Sequence, residues 1–205
     1  RVGLPPILGQ SRHDEVRSHL DRTLDASVFE VPAGPPSIPG IRLESNLRDA
    51  LSEAGVPVST GVPVVDATTD GNRIETVTGD RDGQSIPYRA EEYVLATGGL
   101  VGNGIESDRE KAEEPIFDCH VPQPDDRQAW TDAEAFGSHE FARFGLRTDA
   151  DLRPLDADGK PEFGNLRAAG AVLGGYDFAA ERSGSGVSIA TGYAAGVAAA
   201  GEVVA

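Results

Sequence analysis

The residues best suited to chemistry in this sequence are clustered glycines. Tyr93-Val94-Leu95-Ala96 runs into Thr97-Gly98-Gly99, and Leu166-Arg167-Ala168-Ala169 runs into Gly170-Ala171 and then Gly174-Gly175. Arg182-Ser183-Gly184-Ser185-Gly186 follows, just before a stretch rich in alanine and glycine. Glycine after an apolar strand permits left-handed dihedrals and lets a ligand approach the backbone closely. Small residues opening a helix bare its first amides, which together with the helix dipole favour a carbonyl oxygen or an anion. That is the chemistry of a large cofactor, with a flat ring or a phosphate, lying across backbone. The plain alternative is an ordinary strand-to-loop turn and a glycine-rich helix start. Ser185 is placed to cap that helix.

Acid–base and cationic candidates are fewer. His120 sits among prolines and an aromatic residue, and His139 is close in sequence to Phe141 and Arg143. Histidine titrates in the useful range and can take a hydroxyl proton. Arg143, Arg147 and Arg182 suit a phosphate, because guanidinium makes paired bonds to its oxygens. Each also has a structural reading, as a surface histidine or as an ion pair with one of the many acids. Asp118 and Asp177 are weaker candidates. Cys119 is the single cysteine, which excludes an intrachain disulfide or a thiolate cluster and predicts a buried thiol. No loop matches a calcium or zinc motif, so no metal site is expected.

The elements that must position these residues follow from hydrophobic period. Residues 1–12 read as irregular. Asp14–Leu24 is expected to be a helix, Val28–Val31 a short strand, and the proline- and glycine-rich Pro32–Gly40 a loop. Ile41, Leu43, Leu47, Ala50, Leu51 and Ala54 keep a 3.6-residue period, and Gly55 stands where a left-handed cap is needed. Val56–Val58 and Val62–Val65 read as short extended pieces. Arg73–Thr78 and Ser85–Arg89, joined by a turn over Gly79–Gly83, read as an antiparallel meander. The strands Glu91–Thr97 and Asn165–Ala171 and the helix Ser185–Ala200 complete an α/β order. Residues 100–144 show no clean period and read as an inserted, cap-like segment. The G-x-G-x-x-G fingerprint is missing after an early strand, so the expected fold is a partial Rossmann-like domain with an antiparallel β-meander.

Composition bounds the partners. The formal net charge is −16, from 34 acidic and 18 basic residues, and Lys111 and Lys160 are the only lysines. A field of that sign repels polyanions, so a nucleic-acid partner is not expected. The dispersed acids fit a solvated shell adapted to high salt and a cytoplasmic setting. No apolar run reaches the roughly 18–20 residues that cross a bilayer, and the start Arg1-Val2-Gly3-Leu4 lacks a leader pattern. It also lacks methionine, which fits a piece of a longer protein.

Beyond these readings, the sequence resembles a known family. Pro35-Pro36-Ser37-Ile38-Pro39-Gly40-Ile41-Arg42-Leu43, Tyr93–Gly99, Glu114-Pro115-Ile116-Phe117 and Gly170-Ala171-Val172-Leu173-Gly174-Gly175-Tyr176-Asp177 carry the resemblance. Phe144–Asp149, ahead of Leu152-Arg153-Pro154, adds to it. In order and type these segments are similar to the C-terminal part of the B subunits of anaerobic glycerol-3-phosphate dehydrogenases, within the FAD/NAD(P)-binding flavoprotein superfamily. The resemblance implies FAD or FMN as cofactor. It implies oxidation of sn-glycerol 3-phosphate to dihydroxyacetone phosphate, with electrons passed to the quinone pool through sister subunits. It implies a cytoplasmic subunit held at the membrane by those partners. Residues 35–99 and 145–205 then form the flavin-binding-type domain, 1–34 an N-terminal segment, and 100–144 the cap-like insertion. Thr97, Gly98, Gly99, Gly170, Ala171, Gly174, Gly175, Ser183, Gly184, Ser185 and Gly186 become the flavin contacts. Arg143 and Arg182 become phosphate ligands, and His120 or His139 the base. Two other roles stay open: a structural or electron-relay subunit of the same complex, and a flavin oxidoreductase for another hydroxy acid. Arg182-Ser183-Gly184-Ser185-Gly186 departs mildly from the more purely glycine run expected of the family.

Overall fold

The computed structural model describes residues 1–32 and 34–204, with the side chains of 202–204 excepted. Ala33, in the expected proline and glycine loop, and Ala205, at the end of the last expected segment, lie outside the described residues. The chain separates into two compact units, Arg1–Thr60 and Gly61–Ala205.

The first unit is a small β-α-β-α arrangement. Strand β1 (Val2–Leu4) pairs in parallel with β2 (Val28–Glu30), Val2 opposite Val28. Residues 1–12 are therefore not wholly irregular. Three residues are too few to display a period, and β1 is defined by its partner instead. Helix α1 (His13–Leu24) lies between the two strands in sequence, as its apolar spacing predicts. Helix α2 (Ile38–Glu53) starts three residues earlier than the period suggests. Ser37 caps it by accepting a hydrogen bond from the Gly40 amide at 3.2 Å, and Pro39 is tolerated in the first turn, where no intrahelical donor is needed. The helix ends as expected. Gly55 adopts φ +71°, its N–H donates to Ser52 O, and Val56 N–H donates to Leu51 O, the paired closure of a Schellman motif. Arg42 of α2 clamps Glu30 of β2 with two bonds, Nη1–Oε2 at 2.5 Å and Nη2–Oε1 at 3.0 Å.

The second unit holds the core. Strands β4 (Arg73–Arg81) and β5 (Gln84–Tyr88) form the expected antiparallel pair, and β3 (Val64–Asp70), of which only the start was expected to be extended, adds a third strand beside β4. The β4–β5 turn is tighter than the Gly79–Gly83 span suggested. It is Asp82-Gly83, both with positive φ (+54° and +83°), while Gly79 pairs within the sheet opposite Val64 and Ile86. A second sheet, of two strands, is assembled from distant sequence. Strand β6 (Tyr93–Leu95) lies parallel to β9 (Leu166–Ala168), with Tyr93 opposite Leu166 and Leu95 opposite Ala168. Both strands are shorter than expected, and Val94 is 44% exposed. Asn165, just before β9, is fully buried and ties the two sheets together. Its Oδ1 accepts from Ile74 N, and its Nδ2 donates to Ile74 O and Glu91 O. Buried Arg167 pairs with Glu92 at the start of the same sheet.

Between these strands come the short hairpin β7 (Glu106–Ser107) with β8 (Ala112–Glu113) and three single 3-10 turns. Ile105, Ala112, Cys119, Val121, Trp130 and Phe144 from residues 100–144 join Leu95, Leu146, Leu166 and Val172 in one cluster. Trp130 meets Phe144 edge-on, centroids 4.9 Å apart. The segment expected as a cap thus supplies much of the core. The last elements are the short helix α3 (Phe178–Glu181), which has no sequence period of its own, and α4 (Gly184–Val204), which packs on β6, β9 and the 3-10 turn Gly170–Val172 that follows β9.

Candidate functional site at the ends of the parallel strands

The two glycine-ended strands lie side by side and run in the same direction. Their carboxyl ends are joined by Ala169 N–H donating to Leu95 O at 2.9 Å. Beyond that bond both chains turn. Gly98 takes φ +90°, and Gly170 takes φ +76° at the start of a 3-10 turn spanning Gly170–Val172. Gly99 is thereby brought beside Ala171. Ligands of open α/β sheets gather outside this end of the strands.

The glycines divide into two groups. A Cβ on Gly99 would meet Ala171 O at 2.6 Å, and one on Gly174 would meet Gly145 O at 2.6 Å. These glycines are required by the chain's own backbone packing. Gly145, buried and at φ +157°, is a partner that sequence reasoning missed, because nothing local distinguishes it. Gly175 and Gly186 differ. A Cβ at either position would meet nothing within 4 Å. Side-chain packing does not demand glycine at either position, although the φ of +85° at Gly175 itself favours glycine, and both are exposed at the surface.

That surface adjoins the start of α4. The helix begins at Gly184 rather than Ser185. Ser183 precedes it, and its carbonyl accepts the Val187 amide at 2.9 Å. Ser183, not Ser185, therefore holds the cap position, and Ser185 lies within the first turn. The amides of Gly184, Ser185 and Gly186 lack intrahelical acceptors, as the first amides of any helix do. The Ser183 Oγ is buried and has no hydrogen-bond partner among the described residues. A buried hydroxyl without a partner is uncommon and calls for an explanation. An orphaned donor, three bare amides and two uncovered glycines fit the carbonyl edge or phosphate of a flavin.

The arginine candidates are close to this surface in the chain. Arg143 Nη1 donates to Gly175 O at 3.4 Å and lies 3.7 Å from the Glu181 carboxylate, while Gly175 N–H donates to Arg143 O at 2.9 Å. Arg143 is thereby fixed beside the open glycine. Arg182 is exposed, with φ +54°, and closes α3 by donating its amide to Phe178 O. Asp177 is used as the cap of α3, accepting from Ala179 N and Ala180 N. The Tyr176 phenol is pushed up by burial and by Glu181, so it stays protonated.

The histidines are placed differently. His139 Nδ1 accepts the Asp132 amide at 3.0 Å, and its Nε2 faces Ala135 O at 3.2 Å. An amide only donates and a carbonyl only accepts, so the ring is the neutral Nε2–H tautomer with both nitrogens engaged. His120 is exposed between buried Cys119 and Val121, and its backbone amide donates to Glu162 at 2.8 Å. Among the described residues no hydrogen bond links either ring to the glycine turns. Burial, with Glu162 and Glu114 nearby, pushes the Cys119 thiol far up, so it is no nucleophile. Glu114 is raised by burial although its carboxylate accepts amides of Ile116 and Phe117. Among the described residues no group of three metal-ligating side chains is assembled.

Residues 1–187 match the family model described as FAD binding domain. The B subunit of a probable anaerobic glycerol-3-phosphate dehydrogenase of Halobacterium salinarum is 62% identical over 200 residues, covering 98% of this chain and 47% of the relative. The B subunit of the anaerobic glycerol-3-phosphate dehydrogenase of Vibrio cholerae is 37% identical over 194 residues, covering 94% of this chain and 44% of its own. That of Yersinia pseudotuberculosis is 38% identical over 159 residues, 78% of this chain and 37% of its own. The chain spans about half the length of these curated relatives at most. No solved structure matches.

Proposed function

Because this chain belongs to the FAD-binding domain family, we propose that it supplies the ring-side half of a flavin site in a subunit that oxidises sn-glycerol 3-phosphate. The observation that carries the reading is the buried, partnerless Ser183 Oγ beside the bare start of α4 and the uncovered Gly175 and Gly186. Gly175 and Ser183–Gly186 would hold the flavin, FAD or FMN, with Thr97, Gly98, Gly99, Gly170, Ala171 and Gly174 as the packed floor beneath. A bound flavin supplies a two-electron acceptor for hydride from the substrate's C2 carbon. Arg143, already fixed at Gly175 O, would bind the substrate phosphate with Arg182. Glu181 lies 3.7 Å from the same Arg143 nitrogen that reaches Gly175 O. His120 would take the C2 hydroxyl proton, since its ring is exposed, whereas His139 would have to give up its own turn. The product is dihydroxyacetone phosphate. Electrons would pass to the quinone pool through sister subunits, which would also hold the subunit at the membrane from the cytoplasm.

A second reading has its own support. Among the described residues neither histidine ring is hydrogen-bonded to the glycine turns, which suits a structural or electron-relay subunit whose substrate is oxidised elsewhere in the complex. The full-length protein distinguishes the two. Flavin absorbance bleached by sn-glycerol 3-phosphate supports oxidation on this subunit. Absorbance without bleaching supports relay, and a colourless full-length protein overturns the flavin assignment.

A further inference from the structure

We infer that Thr191, a helix residue outside every motif discussed above, is the positioning residue that sets the flavin-facing turns. The inference rests on the flavin reading of the site. Gly170 is the first residue past the β6–β9 ladder, whose last bond is Ala169 N–H to Leu95 O. Its amide therefore has no strand acceptor, and its φ of +76° turns it away from the sheet. Thr191 Oγ1 receives that amide at 2.9 Å and donates its own hydrogen to Val187 O at 2.6 Å. The hydroxyl is thus used in both directions, and its rotamer is fixed by α4 itself.

The bond joins the two parts of the site. On one side, Gly170 leads through the 3-10 turn to Gly174 and Gly175. That stretch is pinned in turn by Leu146 N–H to Val172 O, Gly174 N–H to Leu146 O and Gly175 N–H to Arg143 O. On the other side, Thr191 is seven residues into α4 from Gly184, roughly 10 Å along the axis at 1.5 Å per residue. Sliding or tilting α4 at Thr191 moves the Ser183–Gly186 turn relative to Gly175. With Gly170 N–H held, the spacing between them is set before any ligand arrives.

The test uses the full-length protein as wild type, Thr191→Val and Thr191→Ser. Valine keeps the shape and removes both bonds, and serine keeps the hydroxyl. Three quantities are measured: flavin dissociation constants, the position of the bound-flavin absorption band, and exchange of the Gly170 amide without flavin. Thr191→Val is expected to weaken flavin binding about tenfold, to shift the band, and to speed Gly170 exchange about tenfold, as loss of an amide's acceptor implies. Thr191→Ser is expected to stay within about twofold of wild type on both scales. Should Thr191→Val not fold, Thr191→Ala, which leaves room for a water at the amide, takes its place with the same expectation. Unchanged affinity and band in the valine or alanine variant overturn the inference, as does serine failing to restore them. A wild-type protein that takes up no flavin overturns the reading on which the inference rests, and the inference with it.

Discussion

At the scale of single residues, the glycines divide by what a side chain would meet. Gly99 is needed because Ala171 O occupies the place of a side chain, whereas Gly186 faces open space. Gly99→Ala is expected to destabilise the chain by about 1–3 kcal/mol, the range of overpacking a tight contact. Gly186→Ala is expected to raise stability by about 0.5–1 kcal/mol, since alanine suits a helix better. In full-length protein the same Gly186→Ala change should weaken flavin binding. Denaturant melts and flavin titrations check the pair; a Gly186→Ala protein that binds flavin normally removes Gly186 from the site. The sequence names both glycines equally, because spacing cannot say what stands opposite a missing Cβ. Ser183 was legible as a helix-start residue, but its isolation was not. A buried hydroxyl is recognised only once its surroundings are known. Thr191 carried no signal, since its partner Gly170 is 21 residues away.

Among elements, those with a period were readable and those defined by pairing alone were not. Helices α1 and α2 and the meander announce themselves through apolar spacing, a glycine cap and tight turns. Strand β3 runs through Asp66-Ala67-Thr68-Thr69-Asp70, polar residues that become strand only by pairing with β4. Strand β1 has the same origin, and α3 is one turn held by the Asp177 cap. In the first unit, the link between β2 and α2 makes a pH prediction. The Arg42 guanidinium bonded to Glu30 holds its carboxyl at about 2, well below the usual 4.5. A depressed carboxylate stabilises the fold fully above its unfolded pKa and loses that contribution as pH falls through its folded one. The first unit should therefore lose stability progressively from about pH 4.5 down to about 2. Glu30→Gln should be less stable at neutral pH and flatter across that window. Equal slopes for variant and parent in acid melts would show that the pair does not govern the transition.

For the molecule as a whole, charge and burial set the conditions of stability. A net charge of −16 on 205 residues opposes the compact state through self-repulsion, which salt screens. The thermal midpoint should rise steadily from low salt to molar KCl, and a flat or falling profile would show that repulsion is not the governing term. Among the described residues no helix is long and apolar enough to cross a membrane. The pairing of β6 with β9 has a further consequence, for the order of assembly. Tyr93 and Leu166 are 73 positions apart (166 − 93), so the glycine turns meet only after a long loop has closed. Closing such a loop costs chain entropy before any contact repays it, while the meander next to it needs only neighbouring residues. The end of this molecule that carries the glycine turns is therefore made late. Until it forms, the Tyr93–Leu95 strand lacks its β9 partner, and its open edge is exposed to aggregation.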